Sequence, residues 1–182
     1  MNDCLKHAVG TMFFCWVCMA SNDGMTTALG LAACMTAFGS DMNPAAAFQS
    51  FAAGGFKDAE GFAMSTVYSL VGAAAANMFA SRVGLSAGSG PSNDFDQGAF
   101  IRECVGTMFF LCASKGQDAV RTGFALMASM AVFNGTYNPA VTFSNIGVDG
   151  IQSNLQGFLI MFAAQCMGAF LANLSDDKVK QE

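Results

Sequence analysis

Gly39-Ser40-Asp41-Met42-Asn43-Pro44-Ala45 and Tyr137-Asn138-Pro139-Ala140-Val141-Thr142-Phe143 are the two stretches that decide the fold. Each contains the box Asn-Pro-Ala, and the boxes take two of the chain's 3 prolines. Asn is a favoured helix N-cap, and Pro suits the first helical position, where its missing N–H is not needed. Each box therefore starts a helix, expected over 44–54 and over 139–147. Both starts lie in apolar sequence.

Working outward, the boxes belong to a duplication. Gly10-Thr11-Met12-Phe13-Phe14 recurs as Gly106-Thr107-Met108-Phe109-Phe110, 96 residues later, and the boxes are 95 apart. Phe62, Gly72, Ala73 and Asn77 match Phe158, Gly168, Ala169 and Asn173, again at 96. The register holds over nearly the whole chain. Each half reads as three apolar segments plus the short helix after its box. These are 6–21, 25–41 and 60–80 in the first half (6–80), and 98–114, 119–136 and 156–174 in the second (98–174). A linker, 81–97, joins them, and 175–182 forms a charged tail. Small residues spaced four apart, Gly72 with Ala76 and Gly168 with Ala172, suit close helix packing.

Composition says what solvent these segments meet. Of 182 residues 53% are hydrophobic and 12% charged, about half the charge of an ordinary soluble domain. Residues 61–81, 122–148 and 150–175 carry no charge over 21, 27 and 26 positions. About 20 apolar residues cross a bilayer, so lipid is the expected surroundings and the chain an all-α, multi-pass membrane protein. At 1.5 Å per residue the 16 residues His7–Asn22 reach only about 24 Å. Such a span needs local thinning or shielding by partner protein.

An odd number of spans per repeat places the second copy upside down, so the halves form an inverted repeat about an axis in the membrane plane. Both boxes then meet near the midplane. With the termini inside, Lys6, Lys57, Lys115, Arg121, Lys178 and Lys180 share the inner side and only Arg82 and Arg102 lie opposite. This agrees with the positive-inside rule. Two facing half-helix starts create a site that passes neutral molecules and disfavours cations. A net charge of −5 excludes a nucleic-acid-binding surface. No nucleophile–base pair, metal cluster or disulfide framework emerges, so neither catalysis nor a cofactor is expected.

The paired boxes in duplicated halves resemble the aquaporin and aquaglyceroporin (major intrinsic protein) family. Glu103-Cys104-Val105-Gly106-Thr107 is similar to the family's Glu-x-x-Gly-Thr start of the fourth span. Gln165-Cys166-Met167-Gly168-Ala169 is similar to a Gln-x-x-Gly-Ala pattern usually seen in its third span. The resemblance implies an aquaporin-like hourglass of six transmembrane helices and two re-entrant half-helices, usually a homotetramer with one pore per subunit. It implies that Asn43, Pro44, Ala45, Asn138, Pro139 and Ala140 line the pore, with the two Asn amides donating to a passing molecule. It also implies that Glu103 ties down a re-entrant loop.

Four departures bear on function. Val141 stands where the family has Arg, and Gly135 is the small neighbouring filter position, so an open pore is wider and less charged at its outer mouth. Asp41 replaces the family's common His. Two roles are open to it, as a site for cations or protons or as a structural group satisfied by backbone N–H donors. His7 replaces the first-half counterpart of Glu103, either as loop support or at the water interface. The spans are also short. Two functions follow: a passive channel for water or small neutral solutes such as glycerol, urea and ammonia, or an aquaporin-like structural subunit of a larger membrane complex.

Overall fold

The computed structural model describes residues 3–21, 23–39, 42–85, 88, 90–116 and 118–179. Among these there are eight helices and no strand: α1 (Asp3–Ala20), α2 (Gly24–Phe38), α3 (Pro44–Ala53), α4 (Ala59–Arg82), α5 (Gln97–Ala113), α6 (Ala119–Phe133), α7 (Pro139–Ile146) and α8 (Ile151–Val179).

The helix starts are written by side chains that accept from the first free N–H groups. Asp23, Asp58, Asp96 and Asp118 cap α2, α4, α5 and α6. Asn43 and Asn138 cap α3 and α7, each accepting from the N–H two residues on at 2.9 Å. The division has a physical reason. The two Asn-capped starts are buried, at 5% and 4% exposure, where an ionised carboxylate is costly. A neutral amide caps equally well and keeps two N–H donors.

The ends of α2 and α6 come earlier than expected, at Phe38 and Phe133 rather than 41 and 136. Gly39 and Asn134 take left-handed conformations (φ 60° and 50°) and their N–H groups close back on Met35 and Met130. At 15 residues each, α2 and α6 are about 22 Å long. Among the described residues, Ala59–Arg82 and Ile151–Ser175 are the two helices long and apolar enough to cross a membrane by length and composition.

Contacts follow the duplication. The α1–α4 pair corresponds to α5–α8, α1–α2 to α5–α6, and α3–α8 to α4–α7, while α2 and α6 meet each other. A Cβ on Gly72 would strike Ala8 O and come within 3.0 Å of Thr11 Cβ. One on Gly168 would strike Cys104 O and come within 2.9 Å of Thr107 Cβ. These residues are equivalent in the repeat, so both crossings use the same small residue to bring two backbones together. Gly24 lies against Met127 and Met130, and Gly123 against Ala28 and Ala32, so α2 and α6 run antiparallel. The core includes Phe14, Leu31, Met42, Phe110, Leu126, Tyr137 and Val141 around the two box loops.

Candidate functional site

The two boxes meet at the centre of the molecule and hold each other. Asn43 Nδ2 donates to Tyr137 O at 3.1 Å, and Asn138 Nδ2 donates to Met42 O at 3.0 Å. Each amide thus bonds the carbonyl of the residue immediately before the other box. Met42 and Tyr137 are both fully buried, with φ of 47° and 53°. That left-handed backbone costs about 1–2 kcal/mol for a residue with a side chain, and it persists because the surroundings over-determine it. Part of the restraint is the reciprocal bond itself. The rest is packing: Met42 Sδ sits against Gly10, and the Tyr137 ring against Gly106, again equivalent positions.

A primary amide carries two N–H donors. In Asn43 and Asn138 one is spent on the opposite loop, and the oxygen on the helix cap. The second N–H of each has no partner among the described residues, and both residues line a cavity of about 250 Å³. Its lining combines apolar side chains (Phe14, Leu31, Phe110, Leu126) with the polar Gln49, Ser50 and Asn173. A second cavity, about 540 Å³, is lined by Gly24, Met130, Gly135 and Val141. The first cavity meets Met35 and Thr122, the second Gly24 and Met130, and these lie toward opposite ends of the antiparallel α2–α6 pair. Phe14, Leu126 and Thr136 line both. The two spaces therefore adjoin the same three side chains beside the boxes.

Glu103, 8% exposed, braces the second box loop. Its Oε1 accepts from Thr136 N (2.8 Å) and its Oε2 from Tyr137 N (3.0 Å) and Gln165 Nε2 (3.0 Å). Gln165 Nε2 also lies 2.9 Å from Thr136 Oγ1 and 3.1 Å from Thr142 Oγ1. Tyr137 OH donates to Ser129 O at 2.9 Å and accepts from Gly135 N at 2.6 Å. Gly135 is confined as well, because a Cβ there would come 2.8 Å from Glu103 Oε1.

The first half is built differently. His7 occupies the position equivalent to Glu103, yet its Nδ1 is buried and finds no hydrogen-bond partner among the described residues. Asp41 lies outside the described residues. Pro44, Pro139, Ala45 and Ala140 are buried at the starts of α3 and α7. Val141, 7% exposed, faces the second cavity together with Gly135. From the sequence, Met42, Tyr137, Thr142, Phe14 and Gln165 stand only as members of quoted motifs without a task, and Thr136 and Leu126 are not singled out. For Gln165 the available signal was a carboxamide flanked by the apolar stretches Phe158–Ala164 and Cys166–Ala172, since such a group needs a partner.

The fold that carries this arrangement is aquaporin-like. The chain is similar over 98% of its length to the X-ray structure of the aquaglyceroporin from Plasmodium falciparum, covering 96% of that chain, with a TM-score of 0.73 at 16% identity. No protein-family model matches the sequence, and no curated protein matches it.

Proposed function

We propose that the protein is a passive transmembrane channel for water or small neutral solutes such as glycerol, urea or ammonia, with no chemistry of its own. The observation that carries this reading is the pair of box amides. Each keeps one N–H without a partner among the described residues, and both residues line one of two cavities that lie toward opposite ends of the α2–α6 pair and share Phe14, Leu126 and Thr136. In this reading α1, α2, α4, α5, α6 and α8 cross the membrane, and α3 and α7 re-enter it from opposite sides as half-helices. A molecule moving between the cavities exchanges hydrogen bonds with water for bonds to Asn43 and Asn138, while Phe14 and Leu126 limit its width. Cations are disfavoured because the α3 and α7 N-termini present the positive ends of two dipoles. With Val141 in place of a guanidinium, the outer mouth gains no donor and no charge at that position. The outer mouth is thereby suited to solutes larger than water.

Side chains such as Leu29 (62% exposed), Phe124 (62%) and Val132 (69%) support lipid or subunit surroundings. We place both termini on the side bearing most of the basic residues, and expect a homotetramer or a larger membrane complex. Osmotic light scattering on proteoliposomes tests the function: water, glycerol and urea are each compared with protein-free liposomes. Permeability above the blank for at least one of them is expected. Rates equal to the blank for all three would overturn the channel and favour a sealed structural subunit.

A further inference from the structure

The buried side-chain polar atoms that lack partners among the described residues are not scattered. They are His7 Nδ1, Thr11 Oγ1, Thr66 Oγ1 and Ser69 Oγ on α1 and α4, and Thr107 Oγ1 and Gln165 Oε1 on α5 and α8. Thr11 is the repeat counterpart of Thr107, and Ser69 of Gln165. All four of these residues have no exposure at all. The orphans therefore fall in two places that the duplication makes equivalent, the α1–α4 and α5–α8 seams.

The seams share one register. Gly72 rests on Ala8 O and Thr11 as Gly168 rests on Cys104 O and Thr107, which sets His7 and Thr11 across from Ser69 as Glu103 and Thr107 stand across from Gln165. The orientation of Gln165 is secure, because turning its amide would put an oxygen against the Glu103 carboxylate in place of the 3.0 Å donor. Its Oε1 must then seek a donor elsewhere. In the α1–α4 seam shorter side chains fill the same crossing, with Ser69 for Gln165 and Thr66 for Phe162. That seam holds three unmatched hydroxyls, Thr11, Thr66 and Ser69, where the other holds one, Thr107.

Buried polar groups in native proteins are nearly always paired, and water commonly supplies the partner where the site is polar and roomy. We propose that the α1–α4 and α5–α8 seams are a symmetric pair of buried water-binding sites. In the first seam water bridges Thr11, Ser69 and His7, the positions equivalent to Thr107, Gln165 and Glu103. In the second seam water links Thr107 Oγ1 to Gln165 Oε1. This inference does not depend on conduction.

Two measurements on the full chain test it. Thr11→Val and Ser69→Ala remove one hydroxyl each. If water bridges them, each change leaves that water short of a partner and lowers the unfolding midpoint in detergent by about 2–4 °C. The double variant then loses less than the sum, because the bridge is broken only once. If the seam is dry, removing an unpaired hydroxyl raises the midpoint or leaves it unchanged, and the proposal fails. A density map of the unaltered protein that resolves ordered water is the second measurement, and it needs no variant to fold. A peak within hydrogen-bonding reach of both Thr11 Oγ1 and Ser69 Oγ, and a second between Thr107 and Gln165, are expected. Empty seams in such a map would overturn the inference.

Discussion

Met42, before Asn43, and Tyr137, before Asn138, reach the same left-handed backbone by different chemistry. The second is tied down by a buried carboxylate, with Thr136 N, Tyr137 N and Gln165 Nε2 all donating to Glu103. At the first, Met42 packs on Gly10, and His7 and Ser69 stand where Glu103 and Gln165 would be. Yet Met42 and Tyr137 share the left-handed conformation, both Asn side chains cap a helix, and each amide bonds across to the other loop. What is common to both halves is the reciprocal bond and the packing of Met42 on Gly10 and of Tyr137 on Gly106, and what differs is the brace behind them. The cross-box pair and this packing are therefore the shared restraint on the geometry. The carboxylate is one of two ways of supporting it.

The comparison is broken most severely at the brace. Glu103→Ala leaves the Thr136 and Tyr137 N–H groups without their acceptor and takes one of three from Gln165 Nε2, and it is expected to cost roughly 3–5 kcal/mol of stability. His7→Ala, which removes no protein partner at Nδ1, is expected to cost less than about 1 kcal/mol. Denaturant unfolding in detergent measures both, and equal losses would contradict the asymmetry. Next come Asn43→Ala and Asn138→Ala. Each removes a cap and one cross-box bond, about 1 kcal/mol apiece, so about 2 kcal/mol is expected in either half. A loss confined to one of them would show that the pair is not reciprocal.

Val141→Arg sharpens the comparison at the outer cavity, where it adds charge and bulk beside Gly135. Glycerol and urea permeation is expected to fall more than water permeation in the same vesicles. An unchanged ratio would remove Val141 from the filter. The smallest effect belongs to Asp23, at the α1–α2 turn. Hydrogen bonds from the Thr26 backbone and hydroxyl hold its carboxyl below the usual carboxylate range. A group whose folded value is lowered stabilises above its unfolded value, about 3.9, and loses that contribution as pH falls through the folded one. Asp23→Asn keeps the cap and should flatten this part of the stability profile below about pH 4. A profile identical to the wild type's would assign the acid sensitivity elsewhere.

The starts of α3, α4, α6 and α7 were legible to within a residue, and each is capped by a local side chain: Asn43, Asp58, Asp118 and Asn138. The ends of α2 and α6 were carried too far, up to the boxes, at 41 and 136. The apolar runs in fact stop at Phe38 and Phe133, and Gly39 and Asn134 follow as left-handed caps. The start of α8 at Ile151 was hidden by Gln152, Ser153 and Asn154, which are polar but helix-compatible. The boxes themselves stood out as repeated punctuation. The part played by Met42 and Tyr137 did not, because a carbonyl acceptor leaves no mark in side-chain chemistry. Its partner is 94 or 96 residues distant, and only the closed fold brings it near.

Asn138→Asp tests the central claim most directly. The substitution keeps the oxygen that caps α7 but removes the donor to Met42 O and the second N–H on the cavity wall, and it places a carboxyl beside a carbonyl. Osmotic equilibration is followed in proteoliposomes at equal protein density, with the wild type and this variant side by side. The wild type should exceed protein-free liposomes and the variant should fall toward them. A wild type that conducts and a variant that conducts at the same rate, with the same solute preference, would contradict the role given to the boxes.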